Sequence, residues 1–118
     1  MGIRIRSCYL CVTDMQRAIR FYEALLEQPV TQRGAWYSVF DVGGFRLGLF
    51  AFQQAGETHT YGTNCLPSLE LPCRAALEKK LAGQNVVFAL RRIGRNWVSE
   101  IEDSEGNRLE LTAPAGRM

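Results

Sequence analysis

Three glutamates and a group of aromatic residues carry most of the chemistry this chain has to offer. Strand alternation places Glu70, Glu100 and Glu110 on one face, with Arg46 and Arg108 as counter-charges. Ser7, Tyr9, Tyr37, Phe50 and Phe52 fall on the same kind of face. Carboxylates beside aromatic rings can hold a cationic aromatic molecule by charge and by cation–π contact, the latter giving about 0.5–2 kcal/mol. Crowded carboxylates also raise one another's pKa, so such a face can retain a proton. The same residues can equally form a satisfied ion-pair network at a module or subunit interface, and that alternative stays open. No activated nucleophile accompanies them, which leaves a general acid or base without an obvious task.

Other reactive side chains are read as structural. Cys8-x-x-Cys11 has the spacing of half a zinc site, but in a strand an odd offset sends the two sulfurs to opposite faces. His59, the single histidine, sits in a polar stretch and is read as solvated. Arg91, Arg92 and Arg95 cluster around Ile93-Gly94, where an anion can dock, yet a solvated loop accounts for them more simply.

These residues belong to a chain of 118 residues with 47% apolar and 22% charged side chains, a length and balance that suit one folded domain and exclude disorder. The net charge is only +2 and the arginines are scattered, so no dense basic face for nucleic acid is expected. Neither a signal peptide nor a membrane-spanning run is visible. The default expectation is a cytoplasmic protein with reduced cysteines at 8, 11, 65 and 73.

An internal repeat supplies the scaffold. Trp36-Tyr37-Ser38-Val39-Phe40-Asp41, followed by Gly44-Phe45-Arg46-Leu47-Gly48-Leu49, returns as Trp97-Val98-Ser99-Glu100-Ile101-Glu102 and Gly106-Asn107-Arg108-Leu109-Glu110-Leu111, about 61 residues on. Upstream, the first half reads as a strand over Ile3 to Val12 and then a helix. Thr13 and Asp14 offer N-caps, Gln16 completes a capping box with Thr13, and Met15, Ala18, Ile19, Tyr22, Leu25 and Leu26 form the apolar stripe before Pro29. The second half reads as a strand over Leu66 to Leu71, then a shorter helix with Cys73, Leu77 and Leu81, Lys79 and Lys80 in its last turn, and Gly83 to close it. Each half is thus strand, helix and three strands. Module 1 covers about 1–52, a connector 53–65, and module 2 about 66–113.

Turn chemistry fixes two registers. A two-residue turn at Gly43-Gly44 opposes Asp41 to Arg46 and Phe40 to Leu47. A three-residue loop at Ser104-Glu105-Gly106 opposes Glu102 to Arg108, Ile101 to Leu109 and Glu100 to Glu110. Trp36, Phe40, Leu47, Leu49, Trp97, Ile101, Leu109 and Leu111 then share the face that the helices cover. The opposite face is mixed polar and aromatic, as a binding surface would be.

At this level the chain resembles the vicinal oxygen chelate superfamily, the glyoxalase, bleomycin-resistance and dioxygenase group. The resemblance rests on Val12-x-Asp14 with Ala18 and Phe21-Tyr22-Glu23, on Glu102 to Leu111 as an acidic Gly-Asn hairpin with a closing Glu-Leu strand, and on the duplicated unit. It implies an α+β fold of two β-α-β-β-β modules forming curved mixed sheets. It also implies four metal-ligand positions, which fall here on Ser7, Gly48, Leu66 or Ser68, and Glu110. Only Glu110 is a good donor, and one carboxylate does not make a first-row metal site.

The resulting expectation is a metal-free protein of the bleomycin-resistance type that sequesters a small cationic or aromatic molecule. Its contacts would be Ser7, Tyr9, Tyr37, Arg46, Phe50, Glu70, Glu100 and Glu110, with no cofactor and no catalytic residue. A homodimer is expected, because open sheet edges need covering; neither nucleic acid nor a membrane is an expected partner. A metal-dependent lyase, isomerase or dioxygenase of the glyoxalase type is the alternative, and a regulatory protein-interaction module is a third.

Overall fold

In a computed structural model, residues 2–3, 5–57 and 66–116 are described. The chain divides into two units, residues 1–60 and 61–118. His59 and Cys65 lie outside the described residues.

The first unit runs β1 (Ser7–Cys11), α1 (Met15–Leu26), β2 (Tyr37–Val42), β3 (Phe45–Phe50) and a 3-10 helix (Phe52–Ala55). Helix α1 forms where the apolar stripe predicts, and Met15, Ala18, Ile19, Tyr22 and Leu25 are its buried side chains. Its N-cap is Asp14, whose carboxylate accepts the Arg17 N–H at 3.0 Å. The expected Thr13–Gln16 capping box does not form; the Thr13 hydroxyl accepts from the Arg17 guanidinium instead. At the other end Glu27 adopts the left-handed conformation, two residues before Pro29.

Strand β3 lies centrally, parallel to β1 and antiparallel to β2. Gly43 and Gly44, both at positive φ, make the tight turn, and the register is the expected one, Asp41 to Arg46 and Phe40 to Leu47. Phe40, Leu47 and Leu49 are buried on the side that α1 covers, where Tyr22 meets Phe40 at 6.3 Å between ring centroids.

Four further expectations for this unit need correction. Among the described residues strand β1 begins at Ser7 rather than Ile3; the Arg6 carbonyl still accepts the Arg46 N–H, and β3, its partner, starts only at Phe45, after the Gly43-Gly44 turn. Trp36 is 54% exposed rather than in the core. Ser38, fully buried, takes the covered side at that end of β2 and ties back to the Gly34 N–H and carbonyl, so Trp36 falls beyond the covered patch. The third of the three predicted strands is reduced to an isolated bridge between Gln32 and Val39. Finally, the connector does not start as plain loop, since Phe52 is buried and opens the 3-10 helix.

The second unit runs β4 (Ser68–Glu70), α2 (Arg74–Leu81), β5 (Asn85–Ile93), β6 (Asn96–Glu102) and β7 (Arg108–Pro114), with sheet order β4-β7-β6-β5. Only the β4–β7 pair is parallel. This is the predicted strand, helix and three strands. Leu77 is the fully buried anchor of α2, and Cys73 stands just outside the helix as its N-cap. Ile101, Leu109, Leu111 and Ala113 fill the core beside it. Trp97 lies on this face as expected, with the Arg74 guanidinium of α2 stacked 4.0 Å from its ring centre.

The β6–β7 hairpin is held by one buried carboxylate. Asp103 Oδ1 accepts from the backbone N–H groups of Glu105 and Asn107, each at 2.8 Å, while Oδ2 accepts from the Asn107 side-chain amide. Gly106 takes the positive φ that the loop requires. The predicted opposition of Glu100 to Glu110 and Glu102 to Arg108 follows. Among the described residues, no helix is long and apolar enough to cross a membrane.

Replacing Asp103 by Ala strands two buried N–H groups, so urea unfolding should show a loss of about 2–3 kcal/mol. A loss under about 0.5 kcal/mol, the range of an ordinary surface change, would contradict that role.

Candidate functional site

Pairing across β1-β3-β2 arranges the open face of the first unit in rows. Ser7, Arg46 and Asp41 form one; Tyr9, Gly48 and Val39 the next; Cys11, Phe50 and Tyr37 the third. The predicted residues Ser7, Tyr9, Tyr37, Arg46 and Phe50 therefore do share this face.

The rows explain an aromatic cluster. Tyr9 and Tyr37 stand on the two outer strands, about 9.5 Å apart across β3, yet their ring centroids are only 6.2 Å apart. They meet because the strand between them carries no side chain at Gly48. A Cβ built on Gly48 would collide with the hydroxyl and ring of Tyr37. Phe50 completes the group, with its ring centroid 5.4 Å from that of Tyr9 and 6.4 Å from that of Tyr37. All three pairs are edge-on or tilted, the arrangements aromatic quadrupoles favour. Tyr9 is 54% exposed and Tyr37 42%, so the rings offer a surface rather than fill a core.

Charges on this face are sparse. Arg46 donates to the Gln32 side-chain carbonyl at 3.3 Å, and Asp41 accepts the Gly44 N–H of the turn. The acid and the base that share a register position thus spend their hydrogen bonds elsewhere. Burial, with Tyr9 and Cys8 nearby, raises the Tyr37 pKa, and Arg46 only partly offsets this. Tyr37 therefore stays a neutral hydrogen-bond donor at physiological pH. Burial, with Glu57 nearby, likewise raises the Cys11 thiol, the opposite of what a reactive cysteine requires.

The second unit supplies the acids. One row reads Ser68, Glu110, Glu100 and Phe88; the next reads Glu70, Thr112, Val98 and Arg91. The Ser68 hydroxyl donates to Glu110 Oε1 at 2.7 Å, and Arg108 pairs with Glu100 Oε1 at 3.1 Å. Glu70 is exposed, one row along from Glu110. Two of the three glutamates are thus engaged within their own sheet, which is the ion-pair reading in part.

Sequence reasoning missed Phe88, which lies opposite Glu100, and misplaced the arginines. Arg91, Arg92 and Arg95 do not sit together in a loop. Arg91 and Arg92 are consecutive residues of β5 and point to opposite faces. Arg91 lies 5.9 Å from the Phe88 ring, while Arg92 donates to the carbonyls of Gly94 and Gly116. Val86 pairs with Ile101 and Phe88 with Glu100, so one register shift falls between Val86 and Phe88 and a second between Phe88 and Arg91, and these hid which face each β5 residue takes.

The four implied ligand positions do not fit a divalent metal. Ser68 rather than Leu66 is the strand residue opposite Glu110, and its hydroxyl is already bonded to that carboxylate. Ser7 is a hydroxyl, and the space at Gly48 belongs to Tyr37. Among the described residues, no three His, Cys, Asp or Glu side chains gather as metal ligands.

Comparison with known proteins decides the family. The family model of the Glyoxalase/Bleomycin resistance protein/Dioxygenase superfamily matches residues 4–111. The chain belongs to this superfamily. No match appears among curated proteins. Among solved structures of the same fold, a protein from Agrobacterium tumefaciens has a TM-score of 0.80 at 20% identity, covering 98% of this chain and 100% of its own. A glyoxalase/bleomycin resistance protein/dioxygenase family enzyme from Burkholderia phytofirmans has 0.78 at 16%, covering 95% and 99%. A lactoylglutathione lyase from Agrobacterium tumefaciens has 0.74 at 16%, covering 95% and 94%. At such identities the superfamily structures establish the scaffold of this member and leave its chemistry to its own residues.

The raised Cys11 pKa gives a direct test. Less thiolate is present at neutral pH, so iodoacetamide should alkylate Cys11 more slowly than an unperturbed thiol at pH 7, with the rate still climbing above about pH 9. A rate plateau below about pH 8 would contradict this.

Proposed function

We propose that this superfamily member binds a small aromatic or cationic molecule reversibly and without a metal, in the manner of bleomycin-resistance proteins. The observation that carries the reading is the exposed ring cluster of Tyr9, Tyr37 and Phe50, built over Gly48, an implied ligand position that has no side-chain donor and that the Tyr37 ring covers. Solvent-facing aromatic clusters mark binding surfaces, since they leave apolar area in water for a ligand to cover.

Glu100, Glu110 and Glu70 supply negative charge on the second unit's sheet, which supports a preference for cations there. The rings of the first unit support a flat aromatic partner. The same reading takes the protein to act in the cytoplasm as a homodimer, away from nucleic acid and membranes, and as a carrier rather than an enzyme.

Thermal-shift screening against cationic aromatics and anionic metabolites tests the proposal. A ligand at 100 times its dissociation constant should add about 2.7 kcal/mol and raise Tm by several degrees. Tyr9→Ala should abolish the shift for an aromatic probe. Stabilisation by anions alone would overturn the charge preference. Elemental analysis of the purified protein tests the other half: a near-stoichiometric divalent ion, lost on Glu110→Ala, would replace this reading with a metal-dependent enzyme of the glyoxalase type.

A further inference from the structure

Gly48 sits in the central strand of its sheet with no positive φ to demand glycine. Glycine inside a strand weakens it, and an interior glycine often marks a place where another group approaches closely. Here that group is Tyr37, whose ring leans diagonally from β2 across β3 so that its hydroxyl lies where a Cβ of residue 48 would be. An aromatic side chain covering a strand glycine is a known way to recover the lost packing.

The consequence is chemical. Any side chain at position 48 must displace Tyr37, so the polar group that this spot presents is a phenol. A phenol is neutral at physiological pH, burial pushes this one's pKa further up, and Tyr37 as a residue is 42% exposed. The charge beside it is Arg46, which favours a lone pair over a cation. A neutral donor flanked by rings and a guanidinium suits a planar ring that carries an uncharged carbonyl oxygen.

We infer that Tyr37, positioned by Gly48, is the specificity-determining residue of the first unit's face and donates a hydrogen bond to the carbonyl oxygen of an aromatic ligand. The inference rests on the metal-free binding reading and narrows its ligand class.

The test combines a ligand-free readout with two matched probes. In the wild-type NMR spectrum the Gly48 Hα signals should be shifted upfield by the Tyr37 ring current. The shift should persist in Tyr37→Phe, which keeps the ring, and vanish in Tyr37→Leu. Acetophenone and ethylbenzene, alike except for the carbonyl, are then titrated. Tyr37→Phe should weaken acetophenone binding about three- to tenfold, the worth of one hydrogen bond, and leave ethylbenzene unchanged. Gly48→Ala, which pushes the ring aside, should weaken acetophenone at least as much.

Equal weakening of both probes, or none, in Tyr37→Phe overturns the donor role while leaving the binding reading intact. Wild-type affinity for acetophenone in Gly48→Ala, or an unshifted Gly48 Hα, overturns the positioning by glycine. Failure of the wild type to bind either probe overturns the aromatic-binding reading itself, and the donor role falls with it.

Discussion

The missing side chain at residue 48 is the constraint on which the first unit's chemistry depends. Strands two apart in a sheet are too distant for their side chains to touch freely across an occupied middle strand. With glycine in the middle, Tyr9 and Tyr37 close the gap and Phe50 joins them. The cost is a weaker central strand. The Tyr37 ring offsets it by packing onto the bare backbone, while the other side of β3 buries Leu47 and Leu49 under α1. One vacancy thus assembles an aromatic surface and removes a metal-donor position.

The second unit solves a different problem on the same plan. Its sheet opposes Glu100 to Glu110, a like-charge pair that is destabilising when left alone. Ser68 from β4 hydrogen-bonds one carboxylate and Arg108 from β7 pairs with the other, so each acid leans toward a different neighbour. Rigid support comes from the Asp103 loop, which fixes the β6–β7 register and with it the opposition of the two glutamates. The two halves of the repeat share elements yet present different surfaces, rings on one and carboxylates on the other. Duplication preserves the covered faces, where packing is demanding, and lets the open faces diverge.

Much of this was legible in the residues. The Gly43-Gly44 turn and the three-residue loop at Ser104 to Gly106 set registers that the structure reproduces pair for pair, because turn length and glycine placement leave few alternatives. The α1 stripe predicted its buried side chains for the same reason of fixed period. Elements without such local constraints were harder to place. Trp36 looked like core by alternation, but alternation counts only while the strand lies under its helix, and Trp36 precedes β2. Arg91 and Phe88 were hidden by bulges, which shift faces without a clear mark in composition.

The sequence by itself determined the repeat, the two hairpins, the helix faces and the loss of donor residues at three implied metal positions, since these follow from spacing and side-chain type. Only the tertiary structure decided that Tyr37 occupies the space over Gly48, that Ser68 rather than Leu66 bonds Glu110, and that Arg92 is consumed by carbonyls. Those outcomes depend on which strand lies in the middle and how far a side chain leans along its neighbour. Strand order and lean are set by packing between segments distant in the chain, where local periodicity carries no information.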